Sequence, residues 1–229
     1  MTIESYLNAN LPVLYTANFS MIEGNQQFDG PDMQIERFDD SVIEILDWDT
    51  LNVDITKEVG IPQDGKITIH TYFENQLVLE NDFVFYDHTQ GEIADYITFK
   101  ENDDHIKIGL YHCKASGKES AGTRAEDYYE VCSQTVKSTR WAGDIIRLRD
   151  HIAHRDRDVE RTRFCGSGNL DELDNFLEQT KQKTKRFWIT IIQPGISSSN
   201  FGPYAQLLTS AQNYIRRSRG HELALICSA

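Results

Sequence analysis

The sequence predicts an α/β fold, and three stretches carry that reading. Residues 91–100 and 105–114 alternate apolar and polar with period two on either side of the polar stretch 101–105, which makes them an antiparallel hairpin. Phe187-Trp-Ile-Thr-Ile-Ile192 is continuously apolar, as expected of a strand covered on both faces. A comparable run over residues 222–227 follows a helical pattern, so buried strands and helices alternate in the second half.

Taken in order, residues 1–64 form an acidic, loop-rich N-terminal extension with apolar patches at 11–15 and 42–48. Residues 25–32 read as a loop because of their Gly-Pro and polar content. The α/β domain is expected over residues 65–229, opening with strands at 66–73 and 82–87. A short Gly-containing turn joins the second of these to the hairpin and makes a three-stranded meander. Small residues at 115–124 form a loop, after which Thr123 is the expected N-cap of a helix over 125–139, with Glu126 in the capping-box position. Its apolar stripe is Tyr128, Val131, Cys132 and Thr135, and Glu130, Gln134 and Lys137 share a neighbouring stripe. Helix continues over 141–152, with Ile145, Ile146, Leu148 and Ile152 inward. Asn169 caps a further helix that buries Leu170, Leu173, Phe176 and Leu177. The strand at 187–192 is stopped by Pro194-Gly195, and a last helix spans about 203–218.

With 229 residues and a hydrophobic content of 39%, the chain can bury a sizeable core. It contains no apolar run of membrane-spanning length and no signal-peptide layout at its start, so a cytoplasmic protein is expected. Four dispersed cysteines indicate reduced thiols, not a disulfide framework or zinc site. The net charge of −13 is unevenly held: residues 1–113 carry 5 Lys/Arg against 22 Asp/Glu, and residues 114–229 carry 18 against 14. Any polyanion must therefore meet the second half. Its densest basic stretch, 137–163, is interleaved with acids and reads first as a solvated, ion-paired helix.

The hairpin carries the first functional lead. Pairing residue 101 with 106 and counting back sets Asp95 opposite His112 and Ile93 opposite Lys114, with Cβ atoms of partners roughly 5 Å apart. An apolar sheet face thus ends in an acid, an imidazole and an ammonium, with Asp87 and Glu92 brought toward the same tip. Such a group either satisfies itself as a structural ion pair or binds something. Other signals are weaker. Gly117-Lys-Glu-Ser120 lacks the leading glycine of a phosphate-binding loop, His151, His154 and Cys165 lack a fourth ligand at zinc spacing, and Cys113 should face away from the motif.

An acid on one strand, a His-Cys-Lys on the next and a helix presenting Gln together resemble the PD-(D/E)xK nuclease superfamily, through Asp95, His112-Cys113-Lys114 and Gln134-Thr-Val-Lys137. The longer run Tyr111-His-Cys-Lys-Ala-Ser, Ala121-Gly-Thr-Arg and Asp127-Tyr-Tyr-Glu-Val-Cys-Ser-Gln-Thr-Val-Lys is similar to the C-terminal region of large bacterial DEAD/DEAH-box helicases linked to phage defence. The resemblance implies an αβββαβ core with a mixed sheet, a metal-dependent DNA endonuclease activity, and a helicase/ATPase module in the same or an associated chain. It implies Mg²⁺ or Mn²⁺ as cofactor, held by Asp95 and His112 with Glu92 or Asp87 supplying a further oxygen. Lys114, Gln134 and Lys137 complete the catalytic set, and Lys118, Arg124, Lys137 and Arg140 are the expected nucleic-acid contacts. His112 stands where the family carries a carboxylate, so a nuclease fold retained only for nucleic-acid or protein binding is the alternative.

Overall fold

A computed structural model describes residues 2–9, 13–15, 21–23, 26–28, 38–63, 65–88, 90–157 and 161–229. Packing divides the chain into two units, Met1–Glu36 and Arg37–Ala229. The first holds helix α1 (Ile3–Ala9) and a three-stranded antiparallel sheet of β1 (Val13–Tyr15), β2 (Met21–Glu23) and β3 (Gln26–Phe28). The loop expected over 25–32 therefore includes a strand; its remaining residues, like residues 11 and 12 of the first apolar patch, lie outside the described ones.

The units do not divide after residue 64. Residues 38–63 belong with the second unit because they complete its sheet and its cores: they supply β4 (Ile43–Ile45), β5 (Val53–Asp54) and the buried side chains of Phe38, Trp48 and Val53. The strand expected at 66–73 is corrected as well. Only β6 (Ile67–Thr68) is extended, and the chain then enters α2 (Ile69–Glu80), capped by the Thr68 hydroxyl, which accepts from the Thr71 N–H. Ile69, Phe73 and Leu77 recur every fourth residue and are all buried, so a helical period that runs past residue 73 outweighs the alternation inside it.

The three strands of the meander form, but the middle one is shorter than the expected 91–100: residues 91–95 are loop, and the strand begins at Tyr96. β7 (Phe83–Tyr86), β8 (Tyr96–Glu101) and β9 (His105–Cys113) pair antiparallel, and the β8–β9 register runs from Glu101 opposite Ile106 to Tyr96 opposite Tyr111. Helix α3 (Ala125–Ser138) follows, with Arg124, not Thr123, at the cap position and no side-chain cap bond. Arg124 instead turns its guanidinium onto Asp127 in the first turn. Helix α4 (Ile145–Arg155) starts later than residue 141, because Gly143 is left-handed at φ 95° and Asp144 caps by accepting from the Arg147 N–H. After β10 (Arg163–Cys165), Asn169 caps α5 (Leu170–Gln179) as expected.

Strand β11 (Thr184–Ser197) runs through Pro194-Gly195, where a stop was expected. Its register against β12 (Glu222–Ser228) shifts between Ile192 and Ser197, which accommodates the missing proline N–H without ending the strand. A 3₁₀ turn, Gly202–Tyr204, leads into α6 (Ala205–Arg219). The seven strands lie in the order β10-β7-β8-β9-β11-β12-β4, antiparallel from β10 to β9 and parallel from β9 to β4. This is a large mixed sheet flanked by helices, hence α/β.

Strand alternation sorts its two faces. Ile97, Phe99, Ile108, Leu110, Ile189 and Ile191 join the core that holds Val131, Leu148, Leu173 and Leu208 of α3 to α6. Val84, Tyr86, Tyr96, Cys113 and Ile192 face the other way, into a core with Ile69, Phe73 and Leu77 of α2 and with Trp48 and Val53. Among the described residues no helix is long and apolar enough to cross a membrane.

Candidate metal centre

Five segments converge at the end of the meander where β8 begins and β9 ends. Asp95 immediately precedes β8 and is 2% exposed. Its Oδ2 accepts from the Cys113 N–H at 2.8 Å, taking over a backbone donor where the ladder stops, and its Oδ1 lies 2.9 Å from His88 Nδ1. His70, in the first turn of α2, sets Nδ1 3.1 Å from the Tyr86 hydroxyl and aims Nε2 inward, 3.8 Å from Asp95 Oδ1 and 3.9 Å from Glu58 Oε1. Glu58 is delivered by the segment after β5. Buried Asp54 shapes that segment by accepting from the Thr56 and Gln63 N–H groups, and the Glu58 carbonyl accepts from the His70 N–H. Lys114, just beyond β9, reaches Glu130 Oε1 of α3 at 2.8 Å and Glu58 Oε2 at 3.4 Å.

Glu58, His70, His88 and Asp95 each bring one donor atom to within 4.8 Å of all the others. His70 Nε2 is buried and has no hydrogen-bond partner among the described residues, although its residue is only 4% exposed. Nε2 faces two carboxylates, and a cation bound there, with the Nδ1 proton turned to the Tyr86 hydroxyl, would satisfy all three. Two imidazole nitrogens and two carboxylate oxygens fit a divalent ion of borderline hardness.

Burial and close partners shift the titration of these groups. Burial lowers the His70 pKa to about 4, against the pull of Asp95, so the ring is neutral at pH 7. Burial also opposes ionisation of Asp95, but the His88 hydrogen bond, the nearby imidazoles and the Cys113 N–H outweigh it and lower its pKa. The hydrogen bond to Asp95 raises His88, and burial raises Glu58. Lys114 loses some solvation, yet its bonds to Glu130 and Glu58 hold its pKa above the ordinary lysine value.

The residues expected from sequence divide at this point. Asp95 and Lys114 do share the site, bridged by Glu58, and Glu92 stands at its rim, 3.7 Å from His88 Nδ1. His112 does not join the ligands. Its Nε2 lies 2.7 Å from Ser138 Oγ on α3, because the strand alternation that buries Ile108 and Leu110 under that helix takes residue 112 with them. Ser138 Oγ also contacts the carbonyls of Ile93 and Gln134, which only accept, so the hydroxyl proton serves a carbonyl and His112 Nε2–H donates to Ser138. Cys113 falls on the α2 face and is buried, with its thiol pKa raised by burial.

Gln134 lies one turn beyond Glu130 on α3, and its Oε1 is buried with no hydrogen-bond partner among the described residues. Lys137 is exposed, and its charge helps to lower the pKa of His112. Arg140 and Lys118 are exposed. Arg124 is committed to its own loop, donating to Asp127, Ser116 Oγ and the Ser120 carbonyl. Asp87 is turned away from the metal centre and pairs with His151 and Arg155 of α4.

Three candidate ligands, Glu58, His70 and His88, were not among the residues expected from the sequence. His88 directly follows a recognised strand, the one available signal; His70 lay in a segment read as β, and Glu58 in a stretch with no pattern. No protein-family model, curated protein or solved structure matches the chain.

Proposed function

We propose that this chain is a metal-dependent phosphodiesterase of PD-(D/E)xK type that cuts DNA, working beside a helicase/ATPase module of the same or an associated chain. One observation carries the reading. A helix, a three-stranded antiparallel meander, a second helix and a strand parallel to the third, namely α2, β7-β8-β9, α3 and β11, follow one another with α4, β10 and α5 inserted before β11, and Asp95, Lys114 and a cluster of potential metal ligands lie at the tip of the meander.

Glu58, His70, His88 and Asp95 would hold the ion. A bound divalent ion polarises the scissile phosphate and lowers the pKa of an attacking water. Asp95 stays ionised and orients the His88 ring; Tyr86 fixes the tautomer of His70. Lys114, tethered between Glu58 and Glu130, offers a full positive charge to the phosphate oxygens. Glu58 takes the part of the carboxylate missing at residue 112, and the nitrogen-rich set favours Mn²⁺ over Mg²⁺.

The test is cleavage of linear, supercoiled and single-stranded DNA with Mn²⁺, Mg²⁺ or EDTA. Wild type cuts best with Mn²⁺, Asp95→Ala and Lys114→Ala lose at least a hundredfold, and His112→Asn keeps most of the activity. Metal uptake without cleavage of any substrate, alone or with the helicase module, would replace this reading by that of a nuclease fold kept for binding.

A further inference from the structure

A second buried polar cluster stands directly behind the metal ligands. Asp87, 0% exposed at the end of β7, has both carboxylate oxygens engaged. Oδ1 accepts from Arg155 Nε at 2.6 Å; Oδ2 contacts His151 Nε2 at 2.7 Å and accepts from the Ile93 N–H at 3.0 Å. Arg155 then spreads its two remaining nitrogens over the loop itself. Nη1 donates to the Gln90 carbonyl at 3.0 Å, and Nη2 reaches the carbonyls of His88 at 3.2 Å and Asp87 at 3.4 Å. The Asp87 N–H donates to the Asp95 carbonyl at 2.9 Å.

The loop so gathered is the one that supplies His88 and leads into Asp95, two of the four candidate ligands. Its described residues hold no helix or strand, and its shape is set by side-chain bonds, from α4 through Arg155 and His151 and from α3 through Ser138 on the Ile93 carbonyl. We propose that Arg155 is a positioning residue for the metal centre, with His151 in support: the planar guanidinium reads three loop carbonyls and one carboxylate together and holds the His88 backbone where its ring meets Asp95 and His70. A lysine at this position keeps the charge opposite Asp87 but cannot span the same acceptors. The inference rests on the metal-centre reading above and is separable from it.

The experiment titrates Co²⁺ into the full chain and follows the visible absorption of the bound ion. Arg155→Lys is expected to bind at least tenfold more weakly, with an altered spectrum, while remaining folded in EDTA. Arg149→Lys, which changes a guanidinium paired with Asp174 on the same helix, is expected to match wild type in both respects. Should Arg155→Lys fail to fold, His151→Leu, which removes one donor to Asp87, is expected to weaken binding in the same way, with His151→Gln restoring it. Wild-type affinity and spectrum in a folded Arg155→Lys or His151→Leu protein would overturn the positioning role and leave the metal centre standing. Absence of Co²⁺ uptake by wild type would overturn both.

Discussion

His70 and His112 share a chemistry but have different tasks. Burial lowers each pKa to about 4, so both are neutral in the folded protein at pH 7. One turns its Nε2 toward Asp95 and Glu58 in the candidate metal cluster, and the other locks β9 to α3 through Ser138. In the unfolded chain both take up protons below about pH 6.5, while the folded chain resists until about pH 4. Stability therefore falls as pH drops through this window, by of the order of 3 kcal/mol for each group. His88 has the opposite sign. Its pKa is raised by Asp95, so its contribution is fully present below the unfolded value and is lost as pH rises through the folded one. Urea unfolding in EDTA between pH 4 and 7 is expected to show the acid loss, and His112→Gln to flatten it. An unchanged slope in that variant would remove His112 from the account. At this scale turn length alone brings Asp95 and Lys114 to one end of the hairpin, but alternation misplaces the Asp95 side chain, which lies before β8 and turns to His70 and the Cys113 N–H. The partners of His112 were not legible in the sequence, because the side chain at the end of a strand follows whichever layer packs beneath it.

Elements were legible where one period dominated. The hairpin, α3, α5 and the last strand follow their patterns closely, whereas α2 was hidden by a stretch in which both periods fit. Its cap makes the point measurable: Thr68→Ala should cost about 1 kcal/mol through the lost bond to the Thr71 N–H. Gly109 tests the sheet. A Cβ there would come 2.5 Å from the Tyr111 ring and 2.6 Å from Thr98 Oγ1, both in the densely packed β8–β9 pair. Gly109→Ala should destabilise by about 1–3 kcal/mol, read by chemical denaturation, because neither neighbour can retreat without disturbing its own strand. A neutral effect would mean that Tyr111 swings freely toward the open groove it shares with Tyr72 and Trp188.

Across the whole molecule, the decisive feature is that residues 38–63 are part of the second unit. They pair β4 with β12, fill the cores with Phe38, Trp48 and Val53, and bring Glu58 to the metal ligands. Residues 37–229 alone are expected to keep a single cooperative unfolding transition and wild-type metal affinity. Residues 65–229 are expected to lose both, since truncation there empties core positions and exposes the β12 edge. Cooperative folding of the shorter piece would move the boundary back to residue 64. Near-neighbour information in the sequence determined the α/β class, the register of the β8–β9 hairpin and the dispersal of the cysteines, because alternation and turn chemistry act over a few residues. Only tertiary structure decided that Glu58, His70 and His88 meet Asp95 while His112 turns away. Those candidate ligands come from three separated segments, the 54–63 loop, α2 and the loop between β7 and β8, and what unites them is the docking of α2 and the 54–63 loop on one sheet face, a long-range packing choice that no local pattern encodes.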